Sequence, residues 1–281
     1  MKTWKKIVLG VSLISLFLGG GLVAWGYSQG GLTDLQNKTI SEQDYVKKEV
    51  KDFNKIDIKS SSYNVLIKNG DVDKATLSYY QKTKNPIDTS VKDGQLTIND
   101  NNSELDSTSN KHINFFGLKD LVRLSTLNKE VRNKTIVITL PKKQTIDFLK
   151  VDLATGNLDL SNSTIKQADI NLNVGDLTFT KMIVSNLKAN LDVGSVDSDH
   201  TLFTNSDLSI AMGDYSGDNL IFNGHNKLDV TSGDIEIALK DYTLNVQADS
   251  HSGEGDITNN LKISKDNTLT ITSDLGDITV E

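Results

Sequence analysis

Three stretches decide the reading of this chain: VDLATGNL at residues 151–158, INLNVGDL at 170–177 and ANLDVGSV at 189–196. Each places apolar residues five and three positions before a glycine and another two positions after it. Working outward, the glycines Gly156, Gly175, Gly194, Gly213, Gly233, Gly255 and Gly276 follow one another at steps of 19, 19, 19, 20, 22 and 21 residues. The flanking positions hold Val151 and Leu153, Ile170 and Leu172, Ala189 and Leu191, Leu208 and Ile210, Leu228 and Val230, and Ile271 with Ser273. Leu158, Leu177, Val196, Tyr215, Ile235, Ile257 and Ile278 follow the glycines. Alternation with a period of two is strand patterning. A step this regular marks stacked units too small to bury their own apolar faces.

A third apolar point comes nine residues after the first five glycines, at Ile165, Val184, Phe203, Phe222 and Tyr242. A 19-residue coil at about 3.3 Å per residue has a perimeter of roughly 60 Å, which suits a three-sided rung. The fold class is therefore all-β. Residues 147–281 are read as a β-helix whose rungs stack about 4.8 Å apart, in the chain order of the glycines.

Five of the glycines precede an aspartate: Asp176, Asp214, Asp234, Asp256 and Asp277. Recurring carboxylates raise the question of calcium. The nonapeptide calcium repeat needs a glycine-dense GGxGxD cadence, which this sequence lacks. Glycine supplies positive φ and aspartate bonds its own backbone, so plain turns account for the pair. Neither a metal nor a cofactor is expected.

The chain opens with Lys2, Lys5 and Lys6, and no charged residue occurs from Ile7 to Tyr27. Twenty-one helical residues span about 30 Å, enough to cross a bilayer. A cleaved signal peptide is the rival reading. Its apolar core is shorter, and the aromatic close at Trp25 and Tyr27 favours a retained anchor. The basic flank places the N-terminus in the cytoplasm and everything after residue 27 outside. Zero cysteines exclude disulfide stapling and thiolate metal sites. Residues 28–54 read as a polar stalk, with helical character expected over 42–51.

Residues 55–146 carry the same alternation less regularly, at Ile56 and Ile58, Val65 and Ile67, and Leu96 and Ile98. This part reads as degenerate N-terminal rungs. Residues 99–133 interrupt it with Phe115, Phe116, Leu118, Leu121, Val122, Leu124 and Leu127, whose spacings of three and four predict a short amphipathic helix. Two roles fit that insert: a plug over the open end of the solenoid, which is the expectation, or a surface for a membrane or partner protein.

The run TIVITLPKKQTIDFLKVDLATGNLDL at 135–160, followed by VGDL, SGDI and LGDI turns behind an N-terminal anchor, resembles the adhesin-like family called domain of unknown function 4097. The resemblance covers about residues 53–281. It implies a β-solenoid, and some members are membrane-anchored Gram-positive proteins encoded with envelope-stress regulators. The family carries no catalytic residues over.

Charge is uneven. Residues 147–281 hold 8 Lys and 22 Asp plus Glu, a net charge of −14, which leaves +7 for residues 1–146 out of the total of −7. An acidic rod without arginine argues against nucleic-acid binding and suits a cationic partner. His200, His225 and His251 fall at different offsets within their repeats. No nucleophile motif or phosphate loop appears. The expected function is a non-enzymatic, membrane-anchored surface protein that binds an envelope component, a protein or a cationic peptide. The alternative is a carbohydrate-active β-helix enzyme. Outward Asp, Lys and aromatic side chains clustered on one face would favour the enzyme, and an unbroken Asn, Thr, Ser and Asp ladder would favour a scaffold.

Overall fold

The computed structural model describes residues 43–82, 86–100, 134–258 and 260–281, and those from Asp44 onward belong to one compact unit. Every regular element among them is a strand. The anchor at 7–27 and the apolar insert, with Phe115, Phe116, Leu118 and Leu121, lie outside the described residues. Among the described residues no helix is long and apolar enough to cross a membrane.

The rungs have three faces. The first is built from strands that precede the glycines, such as Ala168–Val174, Leu187–Val193 and Asp207–Met212, paired in parallel. The second follows the glycines, in Leu158–Ser161, Leu177–Thr180 and Val196–Asp199. The third is short, in Thr164–Ile165, Ile183–Ser185 and Leu202–Thr204. Register runs straight up the stack, Leu158 against Leu177, Val196 and Tyr215. One side chain of each pair therefore rests on its counterpart below.

Volume is shared between faces inside the rod. Phe179 fills its second-face position, while Ser198 and Gly217 directly above leave room. Phe203 and Phe222 from the third face occupy that room. Phe203 meets Phe179 edge-on at 5.3 Å between centroids and stacks on Phe222 at 5.7 Å, separations typical of attractive ring pairs.

Both ends depart from simple chain order. Strand His225–Ser232 pairs with Thr268–Leu275, which pairs in turn with Asn245–Ser250. On the second face, Ile235–Leu239 pairs with Ile278–Val280, and Gly255–Ile257 lies beyond it. The last segment of the chain thus sits inside the stack, and the segment before it forms the end. Burial explains the exchange: Leu269, Ile271, Ile278 and Val280 are buried, whereas Val246, Ala248 and Ile257 are only partly so. The less apolar segment takes the position with one side in water.

At the other end, Lys55–Ser60 and Asn64–Gly70 lie beneath Phe148–Leu153 and Leu158–Ser161. Below them come Gln95–Asn99 and Thr135–Pro141. Strands Thr76–Lys82 and Asp88–Lys92 follow in antiparallel pairing. Buried Leu77, Tyr79 and Ile87 close this end with described strands. The stretch expected to be helical is the strand Gln43–Glu49, next to Thr76–Lys82 in the sheet. Sheet pairing and the partly buried Val46, with buried Val50 and Phe53 just after, override its alternating charges.

Two further expectations are corrected. Tyr242 is 37% exposed, and Leu244, two residues on, is buried in its place. The glycine of the terminal rung is Gly253 and not Gly255. A Cβ on Gly253 would lie 2.1 Å from the Gly276 carbonyl oxygen, the contact seen between the other stacked glycines, whereas Gly255 has nothing within 4 Å. Gly255 instead stands in strand register with Ile278.

Candidate functional site

The outward columns of the solenoid differ from face to face. On the first face, the Asn171 side-chain amide donates to Asp152 at 2.9 Å and the Asn190 amide donates to Asn171 at 2.9 Å. The column continues through Ser209 and Asp229 to Thr272, whose hydroxyl donates to Asp229. Beside it runs a column of alternating sign, Asp57, Lys150, Asp169, Lys188, Asp207 and Lys227. Opposite charges directly across a sheet attract, so this face neutralises itself.

The second face does not. Its outward column reads Asp159, Thr178, Asp197, Ser216, Glu236, Thr279 and Asp256, with carboxylates alternating with hydroxyls and no lysine between them. At about 4.8 Å per rung, the carboxylates recur roughly every 10 Å along most of the rod. The Asp159 pKa is raised, first by burial and then by the Asp176 carboxylate, against a hydrogen bond from Thr178. Four of the carboxylates behind the acidic composition, Asp159, Asp197, Glu236 and Asp256, thus stand in one column.

The corner between these faces holds the glycines. Gly156, Gly175, Gly194, Gly213, Gly233 and Gly276 have φ between +143° and +150°. A Cβ on any of them would lie within 2.4 Å of the carbonyl oxygen one rung below, that of Tyr63 for Gly156 and that of the stacked glycine for the others, so no side chain fits. The next residue is a rung-to-rung bolt. Asn157 accepts from the Asp176 amide at 3.0 Å, Asp176 from Ser195 at 3.0 Å, Asp214 from Asp234 at 2.9 Å, Asp234 from Asp277 at 2.9 Å, and Asp277 from Glu254 at 2.8 Å. Asp256, paired with Gly255 in the sequence reading, stands instead on the second-face column opposite Thr279. Four of the five predicted aspartates therefore sit in one column, each spending an oxygen on the next backbone amide. The expected bond of each aspartate to its own turn is thus replaced by a bond to the amide of the neighbouring rung.

The far corner of the second face was missed by the sequence reading. Asn162, Lys181, His200 and Asn219 all take φ between +52° and +55° or, for His200, +49°. The His200 Nδ1 lies 2.6 Å from the Asp199 carboxylate. Asp199, His200 and Asp218 bring three donor atoms within 4.8 Å of one another. Such a set is of the type that divalent cations use. The signal in the sequence is the 19-residue step from Asp199 to Asp218, which places the two carboxylates at the same position of successive rungs.

Near the N-terminal end of the stack, Asp100 and Lys134 flank the insert. The Asp100 carboxylate accepts from the Ser60 hydroxyl at 3.2 Å and the Ser61 hydroxyl at 3.0 Å, and the Asn64 amide bonds the Lys134 carbonyl at 2.8 Å. Tyr63 donates to the Tyr80 carbonyl at 2.9 Å. Burial, then the Asp100 carboxylate, then Tyr79 push its pKa up to about 12. A Cβ on Gly156 would lie 2.4 Å from the Tyr63 carbonyl oxygen, so the insert leaves the fold at the foot of the glycine corner.

A family model described as Toastrack DUF4097 matches residues 53–281. The chain belongs to the Toastrack family. Among solved structures, the Toastrack chain is similar to a candidate cell adhesion protein from Clostridium sporogenes, with 14% identity, a TM-score of 0.38 and coverage of 85% of this chain and 99% of that one. It is also similar to a candidate adhesin from Bacteroides fragilis, at 15% identity and a TM-score of 0.36 over 85% and 97% of the two chains. A third is a candidate lipid binding protein from Parabacteroides distasonis, at 11% identity and a TM-score of 0.38 over 85% and 98%. No curated protein matches the Toastrack chain.

Proposed function

We propose that this chain is a non-enzymatic, membrane-anchored, extracytoplasmic β-solenoid that acts as an adhesin-like or envelope-stress binding scaffold, with the acidic second face toward its partner. The observation that carries this reading is the contrast between faces. The first spends its outward polar groups on an Asp, Asn, Ser and Thr ladder and on paired charges, while the second presents carboxylates without lysine between them. Fields of that kind attract cationic surfaces over a Debye length, about 8 Å at physiological salt. Among the described residues the exposed large aromatics are Tyr45 and Tyr242, in segments at opposite ends of the stack, which does not suit a sugar-binding cleft.

The anchor supplies the location. Three lysines followed by 21 uncharged residues support an N-in, single-pass topology with the solenoid outside. Protease added to intact cells should remove the solenoid and leave a short membrane-bound fragment. A solenoid resistant in intact cells but cut in inverted vesicles would overturn the proposed location.

A further inference from the structure

A mostly apolar column climbs the glycine corner, and among the described residues its side chains stand outside the core. Val174 pairs with Val193, Val193 with Met212, Met212 with Ser232, and Ser232 with Leu275. Val174 is 40%, Met212 58% and Leu275 57% exposed. These residues stand immediately before the glycines, in a column where the core gains nothing from them. Two residues further along each rung runs the carboxylate column of Asp176, Asp214, Asp234 and Asp277. The corner therefore offers a stripe about 19 Å long, four steps of about 4.8 Å, apolar at every rung except Ser232 and edged by negative charge.

We propose that the chain's own residues 111–133 dock on this stripe. Four observations converge. Both ends of the insert, at Asp100 and Lys134, leave the fold at the foot of the same corner, three rungs or about 14 Å below Val174. The apolar run from Phe115 to Leu127 is 13 residues long, about 18 Å between its ends at the helical rise its spacing predicts, and so matches the stripe. Residues 111–133 carry Lys111, Lys119, Arg123, Lys129 and Arg132 against Asp120 and Glu130, net +3, complementary to the carboxylate edge. The tethers also fix the direction. Seven residue steps lead from Leu127 to Lys134 and reach at most about 23 Å, enough for Val174, while the 15 steps from Asp100 to Phe115 reach about 50 Å, enough for Leu275 at about 34 Å.

The native chain has no cysteine, which makes cross-linking clean. In the full-length protein, Leu121→Cys combined with Met212→Cys should form an intramolecular disulfide under mild oxidation. Its yield should exceed by about ten-fold that of a control pair, Leu121→Cys with Ser209→Cys on the first face, because a docked tether raises the local thiol concentration. Adding Val193→Lys and Leu275→Lys, both at exposed or half-exposed positions, should reduce the yield to the control level without lowering the melting temperature. Equal yields for the two pairs would overturn the proposal. A disulfide-linked dimer at Met212 would overturn it too, by making a second copy the occupant.

Discussion

Gly194→Ala is expected to lower the melting temperature by about 10 °C or more, whereas Gly255→Ala changes it by less than about 2 °C. A Cβ at residue 194 would lie 1.9 Å from the Gly175 carbonyl oxygen, with backbone on both sides of the contact. Its φ of +148° is also one that side chains avoid. Relief requires parting two rungs whose ladders hold the strands together, so the loss should be about 4 kcal/mol or more. At Gly255 an added methyl meets nothing within 4 Å. Thermal unfolding followed by far-UV circular dichroism reads both. Similar shifts for the two variants would mean that the stacked glycine of the terminal rung is misassigned.

Leu191→Asp should be as damaging, by a different mechanism. Leu191 is 2% exposed and stacks between Leu172 and Ile210. A carboxylate there has no cation within a thin core, and burying it unpaired costs several kcal/mol, about 4 on a moderate estimate. The neighbouring Asp192 points outward and is exposed. Asp192→Lys should therefore stay within about 0.5 kcal/mol of the parent. Urea unfolding of the pair tests the register of the whole column, because a slip of one residue would exchange the two outcomes.

These contrasts show which parts of the fold were legible beforehand. The 19-residue glycine step and the period-two alternation record rung size and which side chains face inward, and Leu172, Leu191, Ile210 and Val230 are all buried as their spacing requires. Stacking order is another matter. Sequence distance counts residues between rungs and not which rung lies on which, so the insertion of 268–280 ahead of 245–257 left no periodic trace. The same exchange hid the equivalence of Gly253 and Gly276, since Gly255-Asp256 reads as the better turn while Gly253-Glu254 makes it. At the start of the chain, alternating charges in Gln43–Glu49 suggested a helix, and edge pairing decided otherwise.

The candidate surface was half legible. Composition placed the excess acid in residues 147–281 but could not assign it to a side. That distinction needed register. Lys150 and Lys188 fall between aspartates on the first face and Lys227 stands next to Asp207, whereas Thr178, Ser216 and Thr279 fall between carboxylates on the second. The Asp199, His200 and Asp218 group likewise exists only once successive rungs are superposed.

The most direct test of a binding scaffold with an acidic working face compares equal charge removal on two faces of the full-length protein. One variant carries Asp159→Asn, Asp197→Asn and Glu236→Gln, and the other carries Asp152→Asn, Asp169→Asn and Asp207→Asn. Binding of each to isolated envelope fractions and to a decalysine probe is then measured at low and at physiological salt. The second-face variant should lose about ten-fold in affinity and most of its salt dependence, while the first-face variant stays within about two-fold of the parent. Equal losses from both variants, or none from either, would contradict the assignment of the second face as the binding surface.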